Sequence, residues 1–233
     1  MKNNCSITWQ IKCIYICISL TSFIVFSGCS SRKTKDLEEN CLNTNEQCIK
    51  KNKLIDIVTN KGTFVLELNF NFAPITANNF IDLVNRGAYE GTLFHRVVRK
   101  PIPFLIQGGD PTFNIYKPIN GKLGSGNFFD KKNGQNRFIP LEIKLKNEDK
   151  PRYNQIIKNP SRLSDIALKH ERGSVSMARS IALNSGSAQF YISLRSIPEL
   201  DGRYAVFGRV IKGMEILEFI REGDYILKAK ETK

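Results

Sequence analysis

The chain has 233 residues, of which 41% are hydrophobic, 10% aromatic and 24% charged, enough for one soluble core of about 150 to 200 residues plus extensions. Lys plus Arg exceed Asp plus Glu by 13, a balance that invites a nucleic-acid reading. The lysines are scattered, however, with no zinc-finger spacing, RNA-binding aromatic motif or continuous basic helix, so a solvated Lys-rich surface and no nucleic-acid partner are expected.

Lys2 and Lys12 flank the start, and no charge follows until Arg32. The apolar block from Ile14 to Phe26 has the length of a secretory hydrophobic region. It ends in Phe26-Ser27-Gly28-Cys29, which resembles a bacterial lipobox with Phe26 where Leu is usual. That resemblance implies a signal peptide over 1–28 and a lipidated Cys29; an uncleaved membrane anchor is the alternative. Either way the globular part is expected outside the cytoplasm, in the cell envelope and tethered to a membrane. Cys41 and Cys48 sit in a polar tether over 29–53, where they either close a small disulfide loop or stay free. Only two histidines occur, His95 and His170, with no carboxylate cluster beside them, so no metal and no cofactor is expected.

Order is expected from Leu54. "LIDIVTNKGTFVLELN" alternates on both sides of Asn60-Lys61-Gly62, a hairpin signal. In "APITANNFIDLVNRGAY" the period changes: Ala77, Phe80, Ile81 and Val84 recur at helical spacing, and Gly87 stops the run. "FHRVVRKPIPFLIQGGD" then reads as two strands joined through residues 99–103, whose prolines forbid continuous pairing. From Pro111 to Arg172 the chain reads mostly as loop, with a strand-like piece over 138–143 and a short helix around 161–169. "GSVSMAR", "AQFYISL" and "YAVFGRVI" are three strand-like runs, "GMEILEFI" a short helix and "DYILKAK" a last strand. The expectation is a mainly β fold over 54–233, an eight-stranded closed antiparallel barrel with two capping helices, since closure removes exposed edges.

Four blocks in order, "FHRVV…FLIQGGDPT", "GSVSMAR", "NSGSAQFYI" and "LDGRYAVFGRVIKGM", resemble the cyclophilin family of peptidyl-prolyl cis/trans isomerases. The resemblance implies accelerated rotation about X-Pro bonds in Pro-containing polypeptides and help in folding exported proteins, by a monomer. It places the catalytic arginine at Arg96 and a substrate-orienting amide at Gln107. The proline pocket falls on Phe104, Leu105, Tyr191, Leu200 and Tyr204. Ala178, Arg179 and Ser180 match the strand edge laid beside the substrate. A catalytically weak binding or scaffold module for Pro-containing segments is the rival reading.

The chemistry fits these residue types. Amide resonance holds the X-Pro bond behind a barrier of about 20 kcal/mol, and turning it breaks no covalent bond. A dry hollow for the ring and a permanently charged guanidinium aimed at the twisted amide therefore suffice, without nucleophile or metal. His95 reads as a structural histidine with satisfied hydrogen bonds, and Asp110 and Asp201 as turn residues. Departures from the family pattern are Tyr191 where Phe is common, Glu199 where many eukaryotic members carry Trp, Arg179 where Asn is common, and three extra residues between Arg96 and Phe104. Tyr191 thereby gains a hydroxyl that must find a partner or point outward.

Overall fold

A computed structural model describes residues 52–116 and 122–232. The leader, Cys29, Cys41, Cys48 and nearly all of the expected tether lie outside the described residues. Strands β1 (Lys53–Thr59) and β2 (Gly62–Leu68) form a hairpin with a two-residue turn, and Thr59 pairs with Gly62. Ile55, Ile57, Phe64, Leu66 and Leu68 are buried at alternate positions, the period-2 pattern read from the sequence. Helix α1 (Pro74–Asn85) follows. Next come β3 (Phe94–Val98) and β4 (Leu105–Gly108).

The stretch read as loop contains two small hairpins, β5 (Phe129–Asp130) with β6 (Gln135–Asn136) and β7 (Glu142–Ile143) with β8 (Arg152–Tyr153). Only the last two residues of the expected strand at 138–143 are strand. The expected helix near 161–169 is the single turn α2 (Pro160–Leu163), capped by the Asn159 side chain accepting from the Ser161 amide. The region is nonetheless packed: Ile139, Leu141, Ile143, Leu145, Ile157 and Ile166 all join the main core. Then come β9 (Ser174–Met177), β10 (Phe190–Ser193), β11 (Val206–Lys212), helix α3 (Met214–Phe219) and β12 (Ile226–Glu231).

Eight strands form one curled antiparallel sheet in the order β12-β1-β2-β11-β9-β10-β4-β3. Its two edges meet at an isolated bridge, Leu93 with Tyr225. Backbone bonds from Phe94 to the Asp224 carbonyl (2.7 Å) and from Ile226 to the Thr92 carbonyl (2.9 Å) extend that seam. The curl closes by a short seam instead of a full ladder, which still satisfies the edge groups at that point.

Phe80 on α1 plugs the interior, edge-on to Phe190 at 5.4 Å and tilted against Phe207 at 5.1 Å. The start of α1 has an unusual cap. Ala73 offers no side-chain acceptor, and the carboxylate of Glu142 takes the part from across the chain. It accepts from the amides of Ile75 (3.1 Å) and Thr76 (2.8 Å) and from the Thr76 hydroxyl (2.8 Å). A negative group at a helix start is favourable, but this one is 1% exposed. Burial, opposed by those hydrogen bonds, pushes its pKa from an ordinary 4.5 up to about 7.

The folded protein therefore holds this proton to higher pH than the unfolded chain does. Glu142 makes the fold progressively less stable as pH rises from about 4.5 to about 7, by an amount on the order of 3 kcal/mol. Denaturant unfolding at pH 5 and pH 7.5 should show that decline in the parent and a clearly flatter profile in Glu142→Gln. Parallel profiles would contradict the assignment.

Candidate active site

The register of β3 against β4 carries a bulge: Phe94 lies opposite Gly108, yet Arg96 lies opposite Gln107. His95 is the extra residue. In an unbroken ladder His95 would face Gln107, and Arg96 would turn toward the core, because one residue of slip exchanges the two faces of a strand. The bulge instead puts Arg96 on the outer face while Phe94 and Val97 pack inward. From there a cross-strand row can be followed: Arg96 opposite Gln107, Gln107 opposite Tyr191, Tyr191 opposite Ser176, and Ser176 opposite Val206. Residues from five strands are thus lined up on one surface.

Leu105 and Tyr191 are each 3% exposed, yet neither belongs to the main core cluster, whereas their chain neighbours Ile106, Phe190 and Ile192 do. They form an apolar floor on the outer face beside the cation. Tyr204 stands edge-on to Tyr191 at 5.8 Å. Phe104 follows the turn that carries the three extra residues; its amide donates to the Val98 carbonyl and its carbonyl accepts from Leu194, both at 2.9 Å. The Arg195 guanidinium covers the Phe104 ring at 5.4 Å and is held by Glu199 at 2.6 Å. Within the insertion, Arg99 turns from the row to the end of α3, donating to the Ile220 carbonyl (3.2 Å) and to Glu218 (3.2 Å), a favourable place for a cation.

Arg96 is exposed, and its guanidinium donates to Gln107 Oε1 at 3.4 Å. Gln107 Nε2 donates onward to Gln189 Oε1 (3.1 Å), and Gln189 Nε2 to the Gly126 carbonyl (2.8 Å). The amides all point one way, so Gln107 presents its oxygen to the cation. The Gly126 amide in turn donates to Asp110 (3.0 Å), which also accepts from the amides of Thr112 (2.9 Å) and Gly124 (2.8 Å). Asp110, read as a turn residue, is an entirely buried hub that fixes the loop behind the arginine.

One other expectation changes, at His95, while Asp201 and Arg179 do more than the sequence reading assigned them. Neither ring nitrogen of His95 meets a partner at good hydrogen-bond geometry; the Leu93 backbone and the Gln189 side chain are its looser polar neighbours, so this histidine is less well satisfied than expected. Burial lowers its pKa, opposed by the nearby Asp110 charge. Asp201 is no simple turn residue: its Oδ1 accepts from both the amide (2.8 Å) and Nδ1 (2.7 Å) of His170. Arg179 lies over the Tyr204 ring at 4.8 Å, and its guanidinium donates to the Arg203 carbonyl at 2.8 Å and the Ser180 carbonyl at 2.8 Å. The side chain ties its own 179–181 turn to the Arg203 carbonyl next to Tyr204. Ala178 bonds to the Gln189 carbonyl at 2.9 Å, Ser180 to Ser185 Oγ at 2.9 Å, and Leu200 is half-buried in a 3₁₀ turn over Pro198–Leu200.

Gln189, His170 and Arg195 are missing from the residues picked out of the sequence. Gln189 was findable, since it sits two residues before Tyr191 and shares its face. His170 lies 21 residues from Tyr191, and no local pattern points to it.

Comparison with known proteins agrees with this geometry. A family model described as cyclophilin type peptidyl-prolyl cis-trans isomerase/CLD matches residues 54–233. A Synechocystis protein named for the thylakoid lumen and for peptidyl-prolyl cis-trans isomerisation is 36% identical over 76% of this chain and 46% of its own length. The chain thus spans about half of that relative. A Helicobacter pylori peptidyl-prolyl cis-trans isomerase is 32% identical over 78% of this chain and 88% of its own. The crystal structure of a Cryptosporidium parvum cyclophilin type peptidyl-prolyl cis-trans isomerase superposes with a TM-score of 0.57 at 27% identity, covering 78% of this chain and 99% of that one.

The loop behind the arginine requires glycine at 126, where a Cβ would lie 1.9 Å from Asp110 Oδ1. Gly126→Ala should cost roughly 2 kcal/mol or more in denaturant unfolding. Unchanged stability would show that Asp110 does not hold this loop.

Proposed function

The chain belongs to the cyclophilin-type peptidyl-prolyl cis-trans isomerases, and we propose that it turns X-Pro bonds of exported polypeptides with Arg96 as the catalytic cation. The row that joins Arg96 through Gln107 to Tyr191 carries this reading. A proline ring settles on Leu105 and Tyr191, between Phe104 and Leu200, with Tyr204 closing one end. Ala178, Arg179 and Ser180 run beside the substrate backbone. As the amide twists, its nitrogen regains a lone pair, and the Arg96 fork donates toward that nitrogen or polarises the adjacent carbonyl. Gln107 orients the fork and bonds the substrate backbone. A rate gain of about 10⁵ requires roughly 7 kcal/mol of preference for the twisted state, which a fixed charge beside a dried floor supplies.

Arg96→Ala should lower kcat/KM for a Pro-containing tetrapeptide at least tenfold while thermal unfolding stays unchanged; an unchanged rate defeats the mechanism. One observation favours a second reading, a module that binds Pro-containing segments with little turnover: Arg195, held by Glu199, already covers the Phe104 ring. Exchange between peptide isomers that stays absent while the peptide binds would select it.

We also infer a location. The apolar block 14–26 followed by Ser27-Gly28-Cys29 supports export and a lipid anchor at Cys29 on the cell envelope, and a relative named for the thylakoid lumen supports export alone; the domain acts as a monomer. Intact-mass spectrometry of the mature protein should give a chain beginning at Cys29 with added lipid mass. A retained leader would contradict it.

A further inference from the structure

Tyr191 raises a chemical problem: a phenol in an apolar floor would offer a polar group, or a water, to an incoming proline ring. The hydroxyl instead meets His170 Nε2 at 2.9 Å, and the two ring planes lie within 9° of each other. On its other side His170 Nδ1 stands 2.7 Å from Asp201 Oδ1, which also accepts the His170 amide at 2.8 Å. A carboxylate only accepts, so Nδ1 carries a proton, and in the neutral ring Nε2 then holds a lone pair. The Tyr191 hydroxyl is therefore the donor. All three side chains are buried: His170 is 1%, Tyr191 3% and Asp201 8% exposed. The Ile197 amide donates to the His170 carbonyl at 2.7 Å, which ties the same residue to the segment bearing Leu200.

We propose that His170 is a positioning residue for the proline pocket: with its tautomer fixed by Asp201, it draws the Tyr191 hydroxyl away from the substrate so that the tyrosine presents only its ring. The inference rests on the reading of Tyr191 as pocket floor. Burial pushes the Tyr191 hydroxyl to ionise well above its ordinary pH, so it remains a donor throughout the working range. If the acceptor is lost, the hydroxyl is left buried with only the Ser176 side chain beside it, or it rotates and admits water to the floor. Either outcome weakens binding of the proline ring more than it alters the action of Arg96 on a bound peptide. Removal of the hydroxyl itself makes the histidine dispensable for affinity.

The test is a double-mutant cycle read by NMR titration and exchange spectroscopy with an Ala-Pro tetrapeptide. His170→Ala should raise Kd about tenfold in the parent, with a smaller change in the exchange rate of the bound peptide. The same substitution in a Tyr191→Phe background should raise Kd no more than twofold. An equal loss in both backgrounds would overturn the proposal, because His170 would then act only through the 197–201 segment, and so would an unaltered Kd in the parent. Should His170→Ala fail to fold, the ¹⁵N resonance of His170 Nε2 decides: in Tyr191→Phe it should move toward that of an imidazole nitrogen free of hydrogen bonds, and an unmoved resonance overturns the proposal. A parent that binds the peptide without turning it over would defeat the proposed function alone, since affinity and the histidine resonance are read independently of turnover.

Discussion

One irregularity in a ladder sets the site. His95 is inserted between two positions that would otherwise be paired in sequence, and Arg96 is delivered to the outer face opposite Gln107 as a result. Without that bulge the guanidinium would face the aromatic interior around Phe94 and Phe190, where an unpaired charge is prohibitively costly. The bulge also leaves the half-buried His95 with no hydrogen bond of good geometry at either ring nitrogen, the Leu93 backbone and Gln189 being its looser polar neighbours. Its neutral form is the one favoured there, because burial opposes its protonation.

What surrounds the cation explains why it stays directed. Among the described residues no carboxylate is bonded to Arg96; the partner is a neutral amide whose orientation is dictated by a second amide and a backbone carbonyl. A neutral partner holds the fork without cancelling its field, which is what electrostatic stabilisation of a twisted bond demands. The negative charge that anchors the arrangement sits two hydrogen bonds further on, in Asp110, where it is consumed by amides of the 112–126 loop. The other arginines near the floor are used differently: Arg195 covers Phe104 and pairs with Glu199, and Arg179 lies over Tyr204 and bonds to the Arg203 and Ser180 carbonyls.

The fold was legible where residues repeat with a period. The 54–68 hairpin, the 74–85 helix and the three central strands follow their apolar spacing. Of the residues named from the family motifs, Arg96, Gln107 and Tyr191 fall in one cross-strand row. Less legible was anything decided at long range. Glu142 caps a helix more than 60 residues earlier in the chain, and its role depends on where the 111–172 stretch folds back, which composition alone reads as loop. The status of His95 follows from a bulge that sequence shows only as a break in alternation. The partner of the Tyr191 hydroxyl, flagged by its chemistry, could be identified only once β10 and the segment before β9 were brought together.

The most direct measurement is a structure of the protein with a bound Ala-Pro peptide. The account predicts the proline ring on Leu105 and Tyr191, flanked by Phe104 and Leu200, with the Arg96 fork within hydrogen-bond distance of the proline amide and Gln107 on the peptide backbone. A peptide bound elsewhere on the sheet, or bound over this floor with Arg96 turned to solvent, would contradict it.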